Sequence, residues 1–231
     1  MKTIGLIGGM SWESSLLYYR LINEEVRQRL GGLHSAQILL YSVDFAPIEA
    51  LQHDGDWNGA AKILIEAAQS LESGGADFFL IGTNTMHRVA ERVCEAVNIP
   101  LLHIADATAQ VLRRDGVKRI GLLGTAFTME LDFYKNRIRD NYAIEVIVPE
   151  IHDRQIVHDI IYQELCLGEV EAESREVYLA IIDRLRVQNI DGVILGCTEI
   201  CMLIKPEDTD IRLYDTTTIH ALQAVDMALE K

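Results

Sequence analysis

Lys2-Thr3-Ile4-Gly5-Leu6-Ile7-Gly8 opens the chain, and Lys118-Arg119-Ile120-Gly121-Leu122-Leu123-Gly124 repeats its pattern 116 residues later. Each is a short apolar run closed by glycine, as expected of a buried parallel strand entering its turn. Tyr18 and Tyr134 keep the same spacing. Farther on, Ala76-Asp77-Phe78-Phe79-Leu80-Ile81-Gly82-Thr83 aligns with Ile190-Asp191-Gly192-Val193-Ile194-Leu195-Gly196-Cys197 at a spacing of 114 residues. Solenoid repeats have periods of about 20–50 residues, so these spacings predict two similar parallel-sheet α/β domains related by a pseudo-twofold. The active site is then expected in the cleft between them, since ligands collect where strands end.

Outward from these runs the chain alternates strand-like and helix-like segments: 3–7 then 12–30, 37–43 then 58–72, and 78–81 then 85–97. The rhythm resumes at 119–123, 128–140, 144–148, 154–167, 173–188 and 193–195. Near-continuous apolar strands between amphipathic helices imply sheets covered on both faces. No Pro/Ser-rich linker divides the chain, so the boundary is expected at the crossover in 98–106. The domains are then 1–104 and 105–211.

The chain of 231 residues is 49% hydrophobic and 24% charged, with a formal net charge of −14. That composition excludes wholesale disorder. The negative balance, with no basic patch, argues against nucleic acid and anionic lipid as partners. No apolar run approaches the roughly 20 residues of a membrane span, and no secretory h-region follows Met1, so a cytoplasmic protein is expected. Cys94, Cys166, Cys197 and Cys201 form neither CxxC pairs nor a disulfide framework, and Cys94 and Cys201 read as core residues. His87, His103, His152, His158 and His220 have no HxH or HExxH spacing, so no metal is expected. Gly5-x-x-Gly8-Gly9 is not the GxGxxG of a dinucleotide site.

Cys197 stands where an apolar strand ends and a helix is expected to begin, a place whose partial positive charge favours thiolate. Its bland reading is a small buried hydrophobe. Thr83 occupies the matching strand end of the other half, so the two face each other across a pseudo-twofold cleft in this reading. One polar group on each side suits a reaction at a tetrahedral carbon in which one face loses a proton and the other gains one. Thr83 is much the weaker acid–base group of the two, which makes the pair lopsided. Gly8-Gly9-Met10-Ser11 forms a strand-to-helix turn whose N–H groups favour an anion such as a carboxylate, with Ser11 also available as helix N-cap.

Gly82-Thr83-Asn84-Thr85-Met86-His87 together with Gly196-Cys197-Thr198-Glu199-Ile200 resembles the paired motif of the cofactor-independent aspartate/glutamate racemase family. The opening Gly5-Leu6-Ile7-Gly8-Gly9-Met10-Ser11-Trp12-Glu13-Ser14 and Glu164-Leu165-Cys166-Leu167-Gly168 extend the resemblance over nearly the whole chain. Thr83 stands where the family usually has its first cysteine. That Thr/Cys pair resembles the subgroup acting on L-aspartate and L-glutamate. The resemblance implies racemisation without cofactor or metal, with Cys197 the base toward the L-enantiomer and Thr83 on the opposite face. It implies Met10, Gln52, Asn84, Thr85, Thr198 and Glu199 as substrate ligands and His87 as a residue that orients the site. A homodimer is also implied, as is the return of the C-terminal stretch 212–231, helical from 217 to 229, to the first domain.

Two departures concern the distal carboxylate: the expected loop at 45–57 has no Arg or Lys, leaving Gln52 and His53 as donors, and Cys166 stands where several relatives carry Lys. Use of other amino acids is therefore open. Two further readings stand beside racemisation, namely a single-cysteine decarboxylase or isomerase of the same superfamily and an amino-acid-binding protein with a vestigial pair.

Overall fold

The computed structural model describes residues 1–230, and its strands all run parallel to their neighbours. The chain divides into two units, Met1–Ile104 with the chain from His220 onward, and Ala105–Ile219. In the first, β1 (Ile4–Gly8), α1 (Trp12–Leu30), β2 (Ile38–Ser42), α2 (Phe45–His53), α3 (Trp57–Ser73), β3 (Phe78–Ile81) and α4 (Ala90–Cys94) build a sheet of order β2-β1-β3. After α5 (Ile104–Arg114), β4 (Arg119–Gly124), α6 (Ala126–Glu130), α7 (Asp132–Tyr142), β5 (Glu145–Ile147), α8 (Ile151–Gln163), α9 (Ala172–Arg186), β6 (Val193–Gly196), α10 (Ile200–Leu203) and β7 (Leu213–Asp215) build a second of order β5-β4-β6-β7. Helix α11 (Thr216–Leu229) follows.

The first three positions of the two sheets correspond. The fourth has a remnant in the first unit, where Leu101 bridges Phe79 of β3 in parallel. The repeated aspartates account for part of the internal likeness. Asp77 accepts the Thr3 N–H at 2.6 Å, and Asp191 accepts the Lys118 and Arg119 N–H groups at 2.8 and 3.0 Å. Each carboxylate thus closes the start of the neighbouring strand, and these amide bonds hold the Asp191 carboxyl below its ordinary range.

Strand alternation fixes the first unit's core. Ile7, Phe79 and Ile81 join the α3 residues Leu64, Ala67 and Leu71 on one face of the sheet. Ile4, Leu6, Phe78 and Leu80 join Tyr18 and Ile22 of α1 on the other. Ala221, Ala224, Val225 and Ala228 of α11 belong to that second cluster, which places this helix from His220 onward in the first unit. Residues 212–219 differ from expectation: Leu213–Asp215 is a strand paired to β6, and the second unit extends to Ile219. The expectation of sheets covered on both faces also fails at β2, an edge strand that exposes Leu40 and Tyr41.

His220 joins this core as a neutral ring. Its Nε2–H donates to the Leu102 carbonyl at 2.8 Å, and its Nδ1 accepts the Tyr18 hydroxyl at 2.8 Å. Burial pushes its pKa down from 6.5 to about 4. Between those values the unfolded chain binds a proton that the folded chain refuses, so the stability this group contributes at neutral pH is lost as pH falls from about 6.5 to about 4. The full loss is on the order of 3 kcal/mol. Urea midpoints at pH 7 and pH 5 should therefore differ more for wild type than for His220→Gln; equal slopes would contradict this account.

Candidate active site

In each unit the glycine-terminated strands bring polar residues to one end of the sheet. Gly124 and Gly196 are register partners, and a Cβ on Gly124 would stand 2.9 Å from the Gly196 carbonyl oxygen. This close approach excludes side chains and leaves Cys197 as the first residue beyond. The first unit is built alike: Ile7 pairs with Ile81, and the Gly82 N–H donates to the Ile7 carbonyl, so Thr83 is the first residue beyond the corresponding glycine. Thr83 is half-buried, while Ile81, Gly82, Asn84, Thr85 and His87 around it are buried.

The turn after β1 needs Gly9, whose φ is +92° and whose Cβ would lie 2.2 Å from the Val43 carbonyl oxygen. The Gly9 N–H, expected to favour an anion, instead donates to Ser15 Oγ at 2.7 Å. Ser11 is the N-cap of α1 as read from sequence, its Oγ accepting the Ser14 N–H. The Met10 side chain packs into the first unit's core, so any role toward a ligand falls to its backbone. Residues 45–57, expected as a loop, are largely helix α2 and the start of α3. Gln52 lies in α2, buried, with Nε2 donating to Met86 Sδ at 3.0 Å. The structure thus joins Gln52 to the turn that carries Thr83, Asn84 and Thr85.

The second unit clusters Cys197, Thr198 and Glu199. Glu199 is buried, and its Oε2 accepts the Cys197 thiol at 3.0 Å and the Thr198 hydroxyl at 2.6 Å. The expectation of a helix-stabilised thiolate is overturned here. Helix α10 starts three residues after Cys197 and is only four residues long. Burial, then the Glu199 and Cys166 charges, then the hydrogen bond to Glu199 push the Cys197 thiol well above its ordinary range. The resting group is a neutral thiol donating to a carboxylate.

Residues 7–224 match the sequence model of the Asp/Glu/hydantoin racemase family. The chain belongs to that family. It resembles the broad specificity amino-acid racemase RacX of Bacillus subtilis strain 168, with 23% identity over 234 residues and 98% of each chain covered. Among solved structures, a proposed Asp/Glu racemase from Yersinia pestis is 52% identical with a TM-score of 0.93, both chains covered in full. An aspartate racemase homologue from Pyrococcus horikoshii OT3 is 35% identical with a TM-score of 0.86, again over the whole of both. The protein is an amino-acid racemase, and independence from pyridoxal phosphate fits its family.

Several surroundings of this racemase's thiol escaped sequence reading. Tyr178 is buried, donates to the Val157 carbonyl at 3.1 Å, and has its hydroxyl pKa raised by burial and then by Cys197. The turn after β4 carries Thr125 as N-cap of α6, with its Oγ1 3.2 Å from Thr128 Oγ1. The repeat of 2–8 at 118–124 was the available signal for that turn; nothing local marked Tyr178. Cys94 is exposed and Cys201 half-buried, which corrects their assignment to the core. Burial, followed by Asp215, pushes the Cys201 thiol up to about 12.

Glu199→Gln removes the charge and leaves only a weaker, neutral amide acceptor for the Cys197 proton, so the thiol pKa falls. More thiolate at pH 8 should speed alkylation of the Cys197 peptide by iodoacetamide, about tenfold for each unit of pKa lost. Exposed Cys94 supplies the internal reference. Alkylation no faster than in wild type would show that Glu199 does not restrain the thiol.

Proposed function

We propose that the protein racemises L-aspartate and L-glutamate, with Cys197 as base toward the L-enantiomer and Thr83 serving the opposite face. The observation that carries this reading is the repeated architecture: the first residue beyond the strand-end glycine is Thr83 in one unit and Cys197 in the other. A racemase needs one proton-transferring group on each face of the α-carbon.

In this mechanism the Cys197 proton passes to Glu199, the carboxylate already accepting it, and the resulting thiolate takes the substrate's α-proton. The carbanion is then protonated on its other face by the Thr83 hydroxyl; the resulting alkoxide takes a proton from water, and the proton held by Glu199 neutralises the hydroxide and restores the resting site. The α-carbanion is a far stronger base than an alkoxide, so a weak acid suffices for that step. The reverse step, removal of an α-proton through Thr83, is the slow one. Burial of Cys197 and Glu199 keeps water from levelling these proton transfers. Asn84, Thr85 and Thr198 are the substrate's polar neighbours in this reading, and Gln52 is a neutral donor for the distal carboxylate.

The test is proton NMR of L-aspartate and L-glutamate in D₂O with the protein, beside chiral separation of the products. Loss of the α-proton signal together with appearance of the D-enantiomer is expected for both. Exchange confined to neutral amino acids would refute the acidic-substrate assignment, and its absence for every amino acid would refute the mechanism.

A further inference from the structure

Behind Thr83 lies a buried group of rings that the proton transfers do not use. His87 sits one turn beyond Thr83, and its Nδ1 is 2.8 Å from the Thr83 carbonyl oxygen. Its Nε2 lies 3.2 Å from the Ile104 backbone nitrogen, whose N–H donates to it. A carbonyl can only accept and a backbone N–H can only donate, so His87 is the neutral ring with its proton on Nδ1. Both nitrogens are engaged with backbone, which removes His87 from proton transfer to a substrate. The ring packs against His103, with centroids 4.4 Å apart, and against His220 at 6.1 Å. His220 is itself held between Tyr18 and the Leu102 carbonyl, so the group is anchored to α1, to residues 102–104 and to α11.

A hydrogen bond to the Thr83 carbonyl fixes more than that oxygen. It sets the plane of the Thr83–Asn84 peptide and so constrains ψ at Thr83. The Cα–Cβ bond of Thr83 is thereby aimed from a rigid base, although Thr83 itself is half-buried at the end of a strand. Misplacement of a reacting group by about 1 Å can cost roughly 100-fold in rate.

We propose that His87 is a positioning residue for Thr83, its Nδ1–H holding the Thr83 carbonyl and so aiming the hydroxyl that protonates the substrate's second face. The proposal rests on the role given to Thr83 above. Asparagine at position 87 places an amide N–H near the Nδ1 position, whereas glutamine places its amide near Nε2 and leaves Nδ1 empty. The two variants therefore divide the ring's two bonds between them.

The experiment follows α-hydrogen exchange and D-enantiomer formation from L-aspartate in D₂O for wild type, His87→Asn, His87→Gln and Thr83→Ala. Racemisation should fall about 10- to 100-fold in His87→Gln while exchange with retained configuration stays near the wild-type rate, and His87→Asn should keep racemisation within a few-fold. A merely structural role would depress exchange and racemisation together in both variants, and that result would overturn the proposal. Equal loss of racemisation in His87→Asn and His87→Gln would overturn it too. Unchanged racemisation in Thr83→Ala would instead remove the role of Thr83, and with it anything for His87 to aim. Should neither His87 variant fold, ¹⁵N NMR of the wild-type ring still decides: a protonated Nδ1 with a bare Nε2 between pH 6 and 8 supports the arrangement, and the opposite tautomer or an imidazolium overturns it.

Discussion

Cys197→Ala should abolish exchange of the α-hydrogen of L-aspartate, by roughly 1,000-fold or more, together with racemisation. The variant removes the only group this mechanism assigns to the L-face. Base catalysis by a positioned side chain contributes about 100- to 10,000-fold, so the loss should reach at least the middle of that range. Alanine is smaller than cysteine and the site is buried, so the fold has little reason to shift. Circular dichroism and the urea midpoint serve as controls. Glu199 would lose the thiol's hydrogen bond but keep that from Thr198, and remains in place. Residual exchange within tenfold of wild type would mean that another base serves this face.

Thr83→Ala should separate two observables that wild type couples. With Cys197 intact, L-aspartate still exchanges its α-hydrogen with solvent deuterium, but configuration is retained because nothing delivers a proton to the other face. Racemisation should drop roughly 100-fold or more relative to exchange. Thr83→Cys should do the reverse, raising turnover of D-aspartate by giving that face a group able to act as a base. Because enantiomers have equal free energy, any gain in kcat/KM must appear in both directions, so progress curves from D- and L-aspartate should speed up together. A Thr83→Ala enzyme that still racemised in proportion to its exchange would transfer the second proton through some other group.

Much of this architecture was written in short stretches of sequence. The glycine-closed runs at 2–8 and 118–124 located β1 and β4, since an apolar run without helical period, stopped by glycine, has few other uses in an α/β chain. The spacing of 114 residues matched Thr83 with Cys197, and in its own unit each is the first residue beyond a strand-end glycine. Residues 45–57 were expected as a loop, yet 45–53 form α2, which accommodates Pro47 because it lies in the first turn, where a missing N–H costs nothing. Strand β7 has only three residues and is recognisable only by its pairing with β6. The protonation state of Cys197 was illegible for a deeper reason. Position along the chain suggested a helix terminus, whereas burial and the folding back of the Glu199 carboxylate govern the thiol. Both are properties of the packed unit.

The Lys2 N–H donates to the Ala228 carbonyl at 2.9 Å, and α11 completes the cluster that holds Ile4, Leu6 and Tyr18. During synthesis, then, the unit begun first is finished last. The nascent chain must carry β1, β2 and β3 with one face of their sheet covered by α1 but not yet by α11 until the codons for residues 220–228 have been read, while residues 105–219 form an uninterrupted stretch able to condense beforehand. A premature stop within residues 220–228 would therefore leave the more recently made half intact and strand the older one, its Phe78 and Leu80 lacking the helix that completes their cluster.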